Sequence, residues 1–223
     1  MTHRYSGVVP CRTVVLLVFA ALLVRPDASS AQASKYEVTG FRDARFGMTE
    51  SEVRATARVS FGARDDEMTV RTNASEGTTM LIVHVPVLEP DLGEGRVCYI
   101  FGYRWRRLIQ VNVIWGEDTN PPLSDRGMVT GALRLKGHFL GFRWRQGSVR
   151  DEVPIDGNSV LLFSGEDDKK GAVRLVLEGV QYKRVVNGVL NYSPEPTTPP
   201  KLSIRYIADR NDPDILTLHR RDF

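Results

Sequence analysis

The segment around Thr49 predicts the start of a helix and constrains the fold more than any other stretch of the chain. Thr49 and Glu52 stand three residues apart, the spacing of a capping box, in which each side chain binds the backbone amide of the other residue. Apolar and small side chains then recur at helical spacing over residues 53–61. Gly62 follows, where a glycine often ends a helix. We therefore expect a helix over residues 50–61.

The residues at this helix start carry a family resemblance. Gly47-Met48-Thr49, followed by Val53 and an amphipathic helix, resembles the helix start of BamE/SmpA-type outer-membrane assembly lipoproteins and of β-lactamase-inhibitor-protein-like repeats. The resemblance implies a unit in which a helix packs on an antiparallel sheet. The chain departs from that pattern in two respects. It has no lipobox cysteine, and Phe61-Gly62-Ala63-Arg64 stands where Leu-Gly-x-Pro often closes such helices.

Residues 1–33 have the three parts of a secretory signal peptide. Arg4 and Arg12 form a basic start, an uncharged apolar run covers residues 13–24, and an Ala-x-Ala site ends at Ala33. The apolar run has twelve residues, whereas a helix that spans a membrane needs about 20. We therefore expect cleavage after Ala33 and a periplasmic or secreted protein without a transmembrane segment.

Charge and cysteine content argue against two classes of protein. The whole chain has 30 basic and 27 acidic residues, and removal of residues 1–33 leaves 27 and 26, a net charge of +1. This balance, together with export, argues against a nucleic-acid-binding protein. Cys98 is then the single remaining cysteine, so a disulfide within the mature chain is excluded. We expect Cys98 to be a small buried side chain.

After the first helix, alternating apolar and polar residues predict strands. The predicted strands cover residues 68–73, 78–88, 96–101, 108–115, 159–164, 172–177 and 201–208. A second helix is expected from Ser124 on, between the fourth and fifth of these strands. Asn187-Gly188 predicts a hairpin turn. Pro86 indicates an edge or a bulge near the end of its strand.

The two halves of the mature chain share the order of a helix followed by strands, which suggests a diverged duplication. We therefore expect an α+β fold of two tandem units, each with one helix packed on a small antiparallel sheet. The first unit covers residues 34–120 and the second covers residues 121–223. Two unrelated α+β units are the alternative.

Motifs that carry known chemistry are missing from the sequence. There is no G-x-S-x-G, no H-E-x-x-H and no G-x-x-x-x-G-K-[ST]. His84, His138 and His219 are far apart, and none has a second ligand at the spacing of a metal site. The acidic residues between Asp209 and Asp214 miss the spacing and the glycine of an EF-hand. We therefore expect no catalytic residues, no metal and no cofactor.

One local pattern suggests a binding surface. The run Tyr103-Arg104-Trp105-Arg106-Arg107 falls where the turn of a hairpin is predicted, and Arg143-Trp144-Arg145 echoes it. Arginine next to an aromatic ring can bind an anion through two hydrogen bonds and can also stack. These eight residues are the candidate binding residues. The alternative is a structural role, in which the arginine stems cover a partly exposed tryptophan.

Together these features predict a non-enzymatic, exported binding or adaptor protein of a bacterial cell envelope. The expected partner is another envelope protein or an anionic envelope surface, engaged through a sheet and a hairpin. An envelope hydrolase with a site assembled around His84 or His138 is the alternative, and a structural periplasmic spacer is a third. The hydrolase requires a pocket in which a histidine lies within hydrogen-bond reach of a carboxylate.

Overall fold

The first helix, α1, covers Glu50–Phe61 and has the predicted capping box. The Glu52 carboxylate accepts a hydrogen bond from Thr49 N at 2.7 Å, and the Thr49 hydroxyl accepts one from Glu52 N at 3.3 Å. A glycine in the left-handed conformation follows the helix. The buried residues of α1 are Val53 and Ala57, which lie on the predicted apolar face. The first predicted helix is therefore confirmed.

The computed structural model describes residues 1, 33–116, 125–184, 190–194 and 198–217. The predicted signal peptide lies outside the described residues except for Met1 and Ala33. The predicted boundary between residues 120 and 121, the Asn187-Gly188 turn and His219 also lie outside them.

A single antiparallel sheet of eight strands forms the centre of the described structure. Its strands are β3 (Met68–Asn73), β4 (Thr78–Glu89), β5 (Gly93–Phe101), β6 (Leu108–Trp115), β7 (Arg150–Asp156), β8 (Ser159–Glu166), β9 (Ala172–Glu178) and β12 (Lys201–Ile207). Their order across the sheet is β3-β4-β5-β6-β12-β9-β8-β7.

Smaller elements complete the described structure. The pair β1 (Gly40–Phe41) and β2 (Ala44–Arg45) precedes α1, and a short 3₁₀ helix (Asp65–Glu67) follows it. The hairpin of β10 (Val180–Arg184) and β11 (Leu190–Pro194) lies between β9 and β12 in sequence. The second helix, α2, covers Asp125–Leu140, as predicted. Among the described residues, no helix has both the length and the apolar character that crossing a bilayer requires.

The predicted fold class of two tandem helix-on-sheet units is wrong. β6 and β12 pair in register from Leu202 opposite Trp115 to Ile207 opposite Gln110, so strands from both halves of the chain form one sheet. β12 also pairs with β9 on its other side. Two separate sheets would each leave a further edge with unpaired backbone groups, and the joint sheet removes both edges. Alternation along one strand contains no information about such a pairing.

One face of the sheet is the core. Alternate residues of the central strands point into it, and α1, α2 and the N-terminal segment cover it. Near the end of α2, Phe139 stacks on Phe163 with 5.5 Å between ring centroids. The Tyr36 and Trp144 rings stack at 4.7 Å. This aromatic cluster attaches the end of α2 and the N-terminal segment to the sheet, because offset and edge-to-face ring contacts add to the gain from burial.

Two details of the sheet bear on the sequence predictions. Pro86 predicted an edge or a bulge near the end of its strand, and the pairing of β4 with β5 is irregular between Val85 and Glu89. Strand β7 was not predicted. It is an edge strand whose residues are mostly exposed and it contains Pro154, so it lacks the alternation of a half-buried strand.

Replacing Thr49 by alanine is expected to lower the free energy of unfolding by about 1 kcal/mol, because the helix loses its N-cap acceptor. Chemical denaturation measures the loss. Ser51→Ala is the matched control, since Ser51 is exposed in the first turn and none of the described hydrogen bonds uses its side chain. Equal stability of the two variants would contradict the role of the cap.

The capping box also predicts a dependence on pH. Hydrogen bonds from the Thr49 backbone and side chain hold the pKa of Glu52 below its ordinary value of 4.5. A depressed carboxyl pKa stabilises the fold at pH values above the unfolded pKa, and that contribution is lost as pH falls through the folded pKa. Glu52→Ala should therefore destabilise the protein more at about pH 7 than at about pH 3. An equal loss at both pH values would exclude a charged Glu52 in the cap.

Candidate functional site

The first group of candidate binding residues forms the turn between β5 and β6, as predicted. We call residues 102–107 the β5–β6 turn. Trp105 is 75% exposed and Tyr103 is 38% exposed, so both rings lie at the surface. An indole ring with this exposure has lost little contact with water and can still bury most of its area against a partner.

The C-terminal segment holds this turn in place through Asp214. Its carboxylate accepts hydrogen bonds from Arg104 N and Trp105 N, each at 3.0 Å. Its carbonyl oxygen accepts a third from Tyr103 N at 2.8 Å. Asp209, nearby in sequence, similarly accepts hydrogen bonds from backbone amides, at Asn211 and Asp212. The acidic residues of this segment thus satisfy backbone donors that the turns would otherwise leave unpaired.

The arginines of the β5–β6 turn differ in what they contact. Arg106 has φ 52° and donates to Gly77 O and to the Thr79 hydroxyl, both at 3.3 Å, so it ties the turn to the β3–β4 hairpin. Arg107 lies 4.0 Å from the Glu52 carboxylate. None of the described hydrogen bonds or ion pairs uses the Arg104 guanidinium. Arg104 and Trp105 are therefore the side chains of the turn that remain available to a partner.

The second group of candidate binding residues follows α2 in a different environment. Trp144 is only 8% exposed, and its indole N–H donates to Phe139 O at 2.9 Å. The Arg143 backbone pairs with the N-terminal segment at Lys35 and Tyr36. Arg145 is exposed and forms an ion pair with Glu166. No described hydrogen bond, ion pair or ring contact joins this group to the β5–β6 turn.

The face of the sheet opposite the core carries a row of arginines. Successive residues lie directly opposite one another across six strands, in the order Cys98, Asn112, Arg205, Arg174, Ser164 and Arg150. None of the six belongs to the core cluster, and we call this surface the uncovered face. Arg205 and Arg174 form a like-charged cross-strand pair, an arrangement that destabilises a sheet.

A pocket of about 230 Å³ lies at one end of this row. Its charged and hydroxyl-bearing lining residues include Arg145, Arg150, Arg174, Arg210, Ser164 and Glu166, and we call it the arginine pocket. Glu166 is the single acidic residue among the lining residues. One of its carboxylate oxygens accepts from Arg145, and the other accepts from Arg210 at 2.9 Å. Four guanidinium groups therefore surround one carboxylate.

Arg174 is the electrostatically strained member of the pocket. Partial burial, followed by the positive charges of Arg210 and Arg205, lowers the pKa of Arg174 below its ordinary value. Within the described part of the chain, its guanidinium takes part in no hydrogen bond or ion pair. Burying a charge without a partner is costly, and neighbouring charges of the same sign add to that cost.

Sequence reasoning named Arg145 but missed Arg150, Arg174, Arg205 and Arg210. The only local signal is that Arg174 and Arg205 are charged residues with apolar neighbours on both sides in mostly buried strands. Their convergence depends on the register between β9 and β12. The sequence of a single strand does not determine its register with a neighbouring strand.

None of the described hydrogen bonds joins His84 or His138 to a carboxylate, although His84 lines a pocket together with Glu67 and Glu94. His84 and His138 are both exposed, and none of the hydrogen bonds found among the described residues involves either side chain. His138 contacts the rings of Phe139 and Phe142 instead. In the same part of the chain, no group of three His, Cys, Asp or Glu side chains could hold a metal ion. Cys98 is free and buried, as predicted.

Replacing Asp214 by alanine is expected to loosen the β5–β6 turn, because the amides of Arg104 and Trp105 lose their acceptor. Hydrogen exchange at these amides should become faster by about tenfold, equivalent to one hydrogen bond of roughly 1.4 kcal/mol. Asp212→Ala is the control, since none of the described hydrogen bonds uses the Asp212 side chain. Unchanged exchange in the Asp214 variant would contradict this role.

Comparisons with protein-family models, with curated proteins and with solved structures found no match for this chain. The resemblance of Gly47-Met48-Thr49 to BamE/SmpA-type and inhibitor-like helix starts therefore stays a prediction.

Proposed function

We propose that the protein is a non-enzymatic, exported binding or adaptor protein of the cell envelope. It engages an acidic protein partner through the uncovered face and the β5–β6 turn. One observation carries the proposal: the described helices cover the sheet on one side only, while the other side presents arginines and the turn presents an exposed tryptophan. The mature chain has little net charge, so this surface is a local concentration of positive charge.

The area of the uncovered face is sufficient for a specific interface. Eight strands at a spacing of about 4.8 Å, with about seven residues each at roughly 3.3 Å per residue, give a face of roughly 34 Å by 23 Å. The resulting area of about 780 Å² is close to the area that each partner contributes to a standard interface, which is about 800 Å². The turn adds further area at one end. A partner of ordinary domain size can therefore be held by this surface alone.

The composition of the surface favours an acidic partner. Arg71, Arg174 and Arg205 project from strands of the uncovered face, and none of the described ion pairs uses them. Complementary charge on a partner would raise the association rate and oppose binding of basic proteins. Trp105 adds a large ring of the type that dominates binding hot spots. Asp214 fixes the turn before binding, which lowers the entropy lost on association.

The two other hypotheses have less support. A hydrolase needs a histidine paired with a carboxylate in a pocket, and neither described histidine makes such a hydrogen bond. In a structural spacer, the like-charged pair of Arg174 and Arg205 would only destabilise the sheet. In a binding surface, an acidic partner would offset the repulsion between the two arginines.

The test compares partner binding by the exported protein and by a variant with Arg104→Ala and Trp105→Ala. An acidic protein recovered from envelope extract at low salt is purified and titrated against both. The variant is expected to bind about tenfold or more weakly, with an unchanged melting temperature, because both side chains are exposed. Binding by the wild type should weaken from about 0.1 M to about 1 M salt, as the screening length shortens from about 10 Å to about 3 Å.

Two controls make this result specific. Arg126→Ala removes an exposed arginine from α2, on the other side of the sheet, and should leave binding unchanged. Arg106→Ala should lower the melting temperature instead, because Arg106 ties the turn to Gly77. Wild-type affinity in the Arg104 and Trp105 variant would refute the proposal. Binding of the wild type to vesicles of anionic lipid that is lost in the Arg104 and Trp105 variant, without an acidic protein partner, would refute it as well.

A further inference from the structure

We propose that the arginine pocket is a binding site for a phosphate monoester group. The pocket lies where β7, β8, β9, the segment after α2 and the segment after β12 meet. The pocket lies at one end of the uncovered face and shares Arg174 with it, but none of the described contacts of Arg104 or Trp105 reaches the pocket, so this inference can be tested separately from the proposed function.

Specific contacts hold several side chains of the pocket in place. The Glu166 carboxylate binds Arg145 through one oxygen and Arg210 through the other. The Ser148 hydroxyl donates to Arg145 O at 2.8 Å and accepts from Glu166 N at 3.1 Å. These bonds fasten the segment after α2 to β8. A guanidinium has five N–H donors, so Arg145 and Arg210 retain donors after binding Glu166.

The floor of the pocket has donors that none of the described contacts uses. Arg174 and Ser164 lie directly opposite each other on β9 and β8. Ser164 is only 3% exposed, and none of the described hydrogen bonds uses its hydroxyl. The hydroxyl oxygen itself is accessible from the pocket, so it can donate to a bound group. A bound anion would accept from the hydroxyl and from the guanidinium together.

The charge of the pocket indicates a dianion. Four guanidinium groups and one carboxylate give a local excess of three positive charges, and Arg205 adds another beside Arg174. A phosphate monoester carries a charge of about −1.5 to −2 near neutral pH and presents three strong acceptor oxygens. A carboxylate carries one charge in one plane, which a single guanidinium can satisfy. Donors from five elements therefore match a tetrahedral group better than a planar one.

The size of the pocket agrees with this assignment. Its volume is about 230 Å³, whereas one water takes up about 30 Å³ in the liquid. A phosphate group fits with space for part of the molecule that carries it. The group can belong to a soluble phosphate ester or to the headgroup of a monoester lipid, and the chemistry recognised is the same.

The test titrates the exported protein with glycerol 3-phosphate, using sodium chloride at matched ionic strength as the blank. Glycerol 3-phosphate is expected to raise the melting temperature and to bind in calorimetry. Arg174→Gln should weaken this binding about tenfold or more, because a hydrogen-bonded charge pair is lost. Without the ester, Arg174→Gln should melt no lower than the wild type, since the repulsion with Arg205 and Arg210 is removed.

A matched control and a second probe complete the design. Arg71→Gln removes an arginine of the uncovered face outside the pocket and should leave binding of the ester unchanged. Sedimentation with phosphatidylcholine vesicles containing phosphatidic acid tests the lipid source, and phosphatidylglycerol is the diester control. Binding to phosphatidic acid vesicles that depends on Arg174, and is stronger than to the free ester, assigns the site to a headgroup. Binding to the free ester alone assigns it to a soluble compound.

Two results would overturn the inference. The first is the absence of any effect of both probes beyond that of sodium chloride. The second is binding of the ester that Arg174→Gln leaves unchanged. Loss of protein partner binding in the Arg104 and Trp105 variant concerns the proposed function alone, since that variant keeps the pocket residues.

Discussion

The pairing of β6 with β12 is the interaction on which the rest of the structure depends. The two strands are separated in sequence by α2 and by all the other strands of the second half, yet they pair over six residues. The entropy cost of closing such a loop grows only slowly with its length. Burial of Val113 and Ile204 at the junction contributes to offsetting that cost. Through this pairing, elements from both halves of the chain share one core and one uncovered face.

How far the sequence predicted the fold depends on how local each interaction is. Helix α1 was predicted correctly at both ends, because Thr49, Glu52 and Gly62 lie within the element and its caps. Most strands were found because half-buried strands alternate. The joining of the sheets was missed because an edge can pair with any compatible edge, and alternation does not identify its partner. Strand β7 was missed because exposure removes the alternation itself.

The two Arg-Trp-Arg segments show the same limit for the candidate site. Trp105 is 75% exposed in a turn, whereas Trp144 is 8% exposed within the aromatic cluster. The difference comes from the neighbours: Tyr36 and Phe163 are brought to Trp144 by the N-terminal segment and by β8. Similar local sequence therefore did not give a similar environment. The arginine pocket could not be predicted from the sequence, because its side chains come from elements that are distant in the chain and are brought together only by the sheet.

The sheet is open, so it ends in two edge strands, and their make-up bears on how other chains can approach it. β7 contains Pro154, which has no backbone donor, and its pairing with β8 is irregular between Pro154 and Asp156. β3, at the opposite edge, is six residues long and carries Arg71. Proline, irregular pairing, short length and charge are the features by which natural proteins prevent strand addition at an edge. Addition of a further strand, in a fibril or from an extended peptide, is therefore disfavoured at both edges of the sheet, and the proposed partner would contact side chains of the uncovered face instead.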